Sequence, residues 1–127
     1  MDKVKYWIDI ADYDYATACD LMKSRRWVYV GFMCHQAIEK TLKAYWTATQ
    51  PEDPPYTHSL IRLVELSGLQ NLMTPEQIAF LDILMPMNIE ARYPSYKSHL
   101  ASRLNENVCA DLLSKTEQLQ TWIKSKL

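Results

Sequence analysis

The segment Val30-Gly-Phe-Met-Cys-His-Gln-Ala-Ile-Glu-Lys-Thr-Leu-Lys-Ala-Tyr-Trp46 decides the fold of this chain. Its apolar residues recur at helical spacing and form one broad stripe: Val30, Met33, Cys34, Ala37, Ile38, Leu42, Tyr45 and Trp46. The opposite face carries the polar residues Gln36, Glu39, Lys40 and Lys43. Glu39 precedes Lys43 by four residues, the order that favours a helical ion pair. We therefore expect a central helix with neighbours on two sides.

Further helices are predicted on both sides of this segment. The helical patterns cover about residues 2–22, 27–49 and 58–65, with a proline-rich linker before the last of these. Thr74-Pro75-Glu76-Gln77 has the residues of a capping box with proline at the first helical position, so a helix starts there. Pro86 predicts a kink or a break in that helix. The pair Tyr93-Pro94 predicts its end.

The last helix is predicted to begin at Tyr96 or His99 and to run to Ser125. Its apolar stripe includes Leu100, Leu104, Val108, Leu112, Leu119 and Ile123. Long helices joined by short loops are typical of an antiparallel bundle. The sequence therefore predicts an all-α fold, an antiparallel up-and-down bundle of four main helices with a short additional helix, as one domain over residues 1–127.

Composition narrows the class of protein. The chain has 127 residues, of which 48% are hydrophobic, and a net charge of -1. A net charge this close to zero excludes a protein that binds nucleic acid through an overall basic surface. Any phosphate site must therefore be a local cluster of cations. No apolar run reaches the ~20 residues that a membrane-spanning helix needs. The three cysteines are far apart in sequence and lack metal-ligand spacing, so we expect a cytoplasmic protein without a metal or cofactor.

The three histidines are the main candidates for chemistry. His35 precedes Glu39 by four residues, and such a pair is more often an exposed helical contact than a proton relay. His58 is expected to bond backbone groups at a helix start. His99 lies close in sequence to Arg92 and Lys97 at a junction between helices. There a guanidinium could hold a phosphate and an imidazole could move a proton.

Three segments together resemble the HEPN family, the higher eukaryote and prokaryote nucleotide-binding domain. The central helix contains Gln36-Ala-Ile-Glu-Lys-Thr-Leu-Lys-Ala44, which is similar to the family's QAxEKxLKA helix. Thr57-His-Ser-Leu60 is similar to its THxL helix start, and Ala91-Arg-Tyr-Pro94 to its ARYP segment. The three occur in the family's order and span most of the chain. The resemblance implies a helical bundle that forms a homodimer.

The resemblance also implies three alternative functions. The first is a nucleotide- or RNA-binding module that works with a minimal nucleotidyltransferase partner and uses Arg92, Lys97, Lys40 and Lys43. The second is a metal-independent endoribonuclease of the toxin type, in which Arg92, six residues and then His99 match the family's catalytic spacing. Arg92 would stabilise the phosphate, and His99 would activate the 2'-hydroxyl or protonate the leaving oxygen. The third is a dimeric scaffold without catalysis.

Overall fold

A computed structural model describes residues 1–90 and 102–127, without the side chains of Ile89 and Glu90. Five α-helices lie within those residues: α1 Lys3–Lys23, α2 Trp27–Thr49, α3 Leu60–Ser67, α4 Pro75–Glu90 and α5 Glu106–Lys124. A short 3-10 helix, Leu69–Leu72, follows α3. No strand occurs in this part of the chain. The predicted all-α class is confirmed, whereas the predicted helix end at Tyr93-Pro94 falls outside the described residues.

Helix α2 is the centre of the bundle. It packs against α1, α3, α4 and α5. Its apolar stripe is buried, and Val30, Cys34 and Ile38 are fully excluded from solvent. Gly31 lets α4 approach closely, because a Cβ there would stand 2.6 Å from Sδ of Met87. The prediction of a central helix with neighbours on more than one side is therefore confirmed.

Helix α3 begins two residues later than the sequence pattern predicts. Ser59 is its N-cap, and its Oγ accepts a hydrogen bond from the backbone N–H of Arg62 at 3.1 Å. His58 therefore precedes the helix instead of opening it. Gly68 ends the helix with φ 81°, a left-handed conformation that glycine adopts without a steric penalty.

The start of α4 is the predicted capping box. Thr74 Oγ1 accepts from the Gln77 backbone N–H at 3.1 Å. Gln77 Oε1 accepts from the Thr74 N–H at 2.9 Å. The helix then continues through Pro86 to Glu90, so the predicted alternative of a break at Pro86 is wrong. Leu84 and Met87 are buried on either side of Pro86, and this packing outweighs the missing N–H of proline.

The predicted last helix is interrupted: Ser102 and Arg103 are helical, Leu104 and Asn105 are not, and α5 begins at Glu106. Asn105 has extended backbone angles, and its Oδ1 accepts from the Val108 backbone N–H at 2.9 Å. This cap sets the start of the helix at Glu106, so a continuous helix from Tyr96 or His99 is wrong. Leu104 lies outside the helix yet is buried in the core. Because Leu104 is apolar, the apolar pattern of the sequence continues across the cap. The pattern therefore did not indicate where the helix starts.

Candidate functional site

The polar face of α2 is covered by other parts of the chain. Glu39 is 1% exposed, and Gln36 and Lys43 are each 8% exposed. Trp7 of α1 lies over Lys43, with 5.5 Å between Nζ and the ring centroid. A buried polar group destabilises the fold unless it has a hydrogen-bond or ion-pair partner, so the polar residues of this face need partners within the protein. Glu39 is the residue on which these contacts centre.

The Glu39 carboxylate contacts three other side chains. Its Oε1 is 2.9 Å from Nδ1 of His58. Its Oε2 is 3.1 Å from Nζ of Lys43 and 3.5 Å from Nζ of Lys40. Burial alone raises the pKa of Glu39, but Lys40, His58 and Lys43 outweigh it, and the net pKa is lowered. Glu39 is therefore an ionised, buried carboxylate. We call His35, Gln36, Glu39, Lys40, Lys43 and His58 the α2 polar cluster.

His58 presents one ring nitrogen to Glu39 and the other outward. Because the ionised Glu39 can only accept, Nδ1 of His58 is the donor in their hydrogen bond. In the neutral ring, Nε2 is then the unprotonated nitrogen. The side chain is 54% exposed, so the edge that carries Nε2 is accessible from solvent. The prediction that His58 bonds backbone groups at a helix start is wrong, because its ring bonds the buried carboxylate of Glu39 on α2.

His35 is a further neighbour of Glu39. It is fully buried, so the prediction of an exposed contact with Glu39 is wrong. Its Nδ1 is 4.0 Å from Oε1 of Glu39, and neither ring nitrogen has a hydrogen-bond partner among the described residues. Burial lowers the pKa of His35 to about 4, although Glu39 acts in the opposite direction. His35 is therefore neutral at physiological pH.

Lys40 and Lys43, both predicted to bind phosphate, differ in exposure. The Lys43 side chain is 10% exposed, and its ammonium is held by Glu39 and the Trp7 ring. Lys40 is more open at 17%. Its ammonium donates to Gln36 Oε1 at 2.8 Å. An ammonium has three donors, so Lys40 can still donate to a ligand.

The same network connects α2 to the end of α4. Gln36 Nε2 donates to Oδ1 of Asn88 at 3.0 Å, two residues before α4 ends at Glu90. Leu104 follows residues 91–101 in sequence. Both Leu104 and Met87 of α4 lie near Gly31 of α2. Asn88 and Leu104 therefore both lie beside α2.

Three predicted site residues, Arg92, Lys97 and His99, lie outside the described residues. The structure thus brings together Lys40 and Lys43 of the predicted set and adds Glu39 and His58. Spacing along α2 could have revealed the Glu39–Lys43 pair. No local pattern indicated His58 as its partner, because the two residues are joined only through the fold. Within the described chain, no group of three or more His, Cys, Asp or Glu side chains could hold a metal ion.

Comparison with known proteins identifies the family and the fold. The model of the HEPN domain family matches residues 4–126. The crystal structure of TT1696 from Thermus thermophilus is similar, with a TM-score of 0.82 and 19% sequence identity over 100% of both chains. No match was found among curated proteins. In the part of the chain that the structure describes, no helix is both long and apolar enough to cross a bilayer.

Proposed function

The chain belongs to the HEPN domain family, and from this premise we propose that it is a module that binds a nucleotide or RNA. The observation that carries the proposal is the α2 polar cluster. Two ammonium groups and an imidazole converge there on one carboxylate, Glu39. The two ammonium groups are a local pair of cations in a chain whose net charge is -1. A phosphate group is a natural counterion for such cations.

Each basic residue then has its own task. Lys43 holds Glu39 from the buried side and contributes charge, whereas Lys40 is open enough to contact a ligand directly. Arg92 and Lys97 follow α4 by two and seven residues in sequence, and their side chains suit phosphate contacts. We propose that these cations act together on one ligand.

The replacement Arg92→Ala is expected to weaken nucleotide or RNA binding about tenfold or more, because a charge-assisted hydrogen bond to phosphate contributes about 1.5–3 kcal/mol. Calorimetric titration with ATP and with a short single-stranded RNA at two salt concentrations would measure it. Binding by the unmodified chain should weaken as salt rises. Lys115→Gln is the matched control, since Lys115 is on the surface of α5 and pairs with Asp111. Equal affinities for Arg92→Ala and the unmodified chain would contradict the assignment of Arg92.

A ribonuclease is the second candidate, and the spacing of Arg92 and His99 favours it. In this case the chain should cleave single-stranded RNA in the presence of EDTA and leave a cyclic phosphate. His99→Ala should abolish cleavage while the melting temperature stays unchanged. Intact RNA after long incubation, combined with saturable binding, would reject the nuclease and keep the binding module.

We further propose a homodimer and a minimal nucleotidyltransferase as protein partner. A groove of about 450 Å³ between α4 and α5 supports a protein contact. Its lining combines apolar side chains, among them Phe80, Ile83 and Leu119, with polar and charged ones. Ile83 is 49% exposed there, so a partner surface could bury it. Sedimentation of the purified chain, alone and with a co-expressed nucleotidyltransferase, would test both contacts.

A further inference from the structure

The exposed edge of His58 and the ammonium of Lys40 both belong to the α2 polar cluster. Neither the family match nor the related crystal structure assigns a role to this edge. We propose that His58 Nε2 and Lys40 Nζ bind one terminal phosphate of the ligand, with Glu39 as the positioning residue behind them. This inference rests on the proposed function and locates part of its binding site.

Glu39 sets the direction in which His58 faces. Its Oε1 fixes Nδ1 of the ring at 2.9 Å, so Nε2 is directed away from the carboxylate. On protonation, Nε2 becomes a second donor while the first remains bonded to Glu39. The ring can then donate to an anion without breaking its internal contact. A carboxylate that orients an imidazole in this way is a common device in binding and catalytic sites.

Lys40 supplies the second donor, which is held by the other oxygen of the same carboxylate. Its ammonium lies 3.5 Å from Oε2 of the carboxylate whose Oε1 holds His58. Gln36 fixes that ammonium at 2.8 Å, so little side-chain freedom is lost when a ligand binds. We infer that two donors held by one carboxylate bind a single phosphate group and not a strand of phosphodiesters. The ligand class is therefore a phosphate monoester, such as the end phosphate of a nucleotide or of a 5'-phosphorylated RNA.

Charged groups of both signs lie around the pair. Lys43 and Lys40 contribute two positive charges against the negative charge of Glu39. Asp14 of α1 acts on Lys40 and Glu39 electrostatically, and burial raises the pKa of Asp14. His35 is a buried neighbour of Glu39 and His58, and it is neutral because burial lowers its pKa to about 4. Asn88, on α4, is uncharged.

Calorimetric titration of three variants with inorganic phosphate and AMP tests the proposal. His58→Gln and Lys40→Gln should each weaken binding of both ligands about tenfold, the loss expected for one hydrogen bond to a charged group. Lys115→Gln should leave both affinities unchanged. A 5'-phosphorylated RNA should bind more tightly than its 5'-hydroxyl counterpart in the unmodified chain but not in His58→Gln. This last pair of ligands distinguishes an RNA end from a free nucleotide.

The outcomes separate this inference from the proposed function. If the unmodified chain binds nucleotide or RNA and the His58→Gln and Lys40→Gln variants bind equally well, the phosphate subsite is overturned and the binding module remains. If phosphate binds and is lost in His58→Gln, while neither nucleotide nor RNA binds, the subsite remains and the proposed function fails. Binding of no phosphate compound by the unmodified chain rejects both. Circular dichroism melting shows whether each variant is folded as the unmodified chain is.

Discussion

Replacing Glu39 with glutamine is expected to destabilise the fold by about 3 kcal/mol, because removing one partner of a buried ion pair leaves the other charge uncompensated. The change keeps the shape of the side chain but removes its charge. Lys43, with 10% of its side chain exposed, then loses the carboxylate that its ammonium contacts at 3.1 Å. Lys40 loses a weaker contact at 3.5 Å. Urea denaturation followed by circular dichroism measures the free energy of unfolding.

Two further variants make the test specific. Glu65→Gln changes an exposed glutamate on α3 and should alter the free energy of unfolding by less than about 0.5 kcal/mol. The double change Glu39→Gln with Lys43→Met should recover part of the loss, since a buried pair replaced by uncharged side chains is close to neutral. A Glu39→Gln variant as stable as Glu65→Gln would show that Glu39 does not organise the cluster.

The second large effect is a loss of stability in acid that comes from His35. Burial lowers the pKa of His35 from 6.5 to about 4 in the folded state. Between these values the unfolded chain binds a proton that the folded chain does not bind. Stability is therefore fully present above pH 6.5 and declines as the pH falls toward 4, at about 1.4 kcal/mol per pH unit. The total loss by pH 4 is about 3 kcal/mol.

The variant His35→Leu isolates this contribution. Urea denaturation at several pH values between 4 and 7 should give a shallower dependence for the leucine variant than for the unmodified chain. Glu39 acts in a separate range, because its pKa is lowered from 4.5 and its contribution is lost only as the pH falls below that value. Identical pH dependences for the two chains between pH 6.5 and 4 would contradict a buried, neutral His35.

The sequence predicted those parts of the fold that local chemistry determines. The apolar stripe of α2 and the Thr74–Gln77 capping box are short-range patterns, and both occur as predicted. The helix break at Pro86 did not occur, because buried neighbours on both sides stabilise the continuous helix. The start of α5 was misplaced because Asn105 caps the helix while the apolar pattern continues through Leu104. Tertiary packing decided the first outcome, and a local side-chain cap decided the second.

The candidate site also has one part that local sequence predicted and one part that only the fold determines. The spacing of Glu39 and Lys43 predicted their ion pair, which is present. Their burial could not be predicted, because it depends on the packing of α1 over Lys43 and on the position of His58. His58 is separated from Glu39 by a proline-rich linker, and only the fold brings the two together. Predictions for Arg92, Lys97 and His99 concern residues that the structure does not describe.

Nitrogen-15 NMR of the imidazole rings tests most directly whether Glu39 holds His58 so that its outer nitrogen, Nε2, can bind a phosphate. We expect neutral His58 to be protonated at Nδ1, and added AMP to shift the Nε2 resonance of His58 in a saturable way. A neutral His58 protonated at Nε2, or a ring whose resonances stay unchanged while AMP binds, would contradict it.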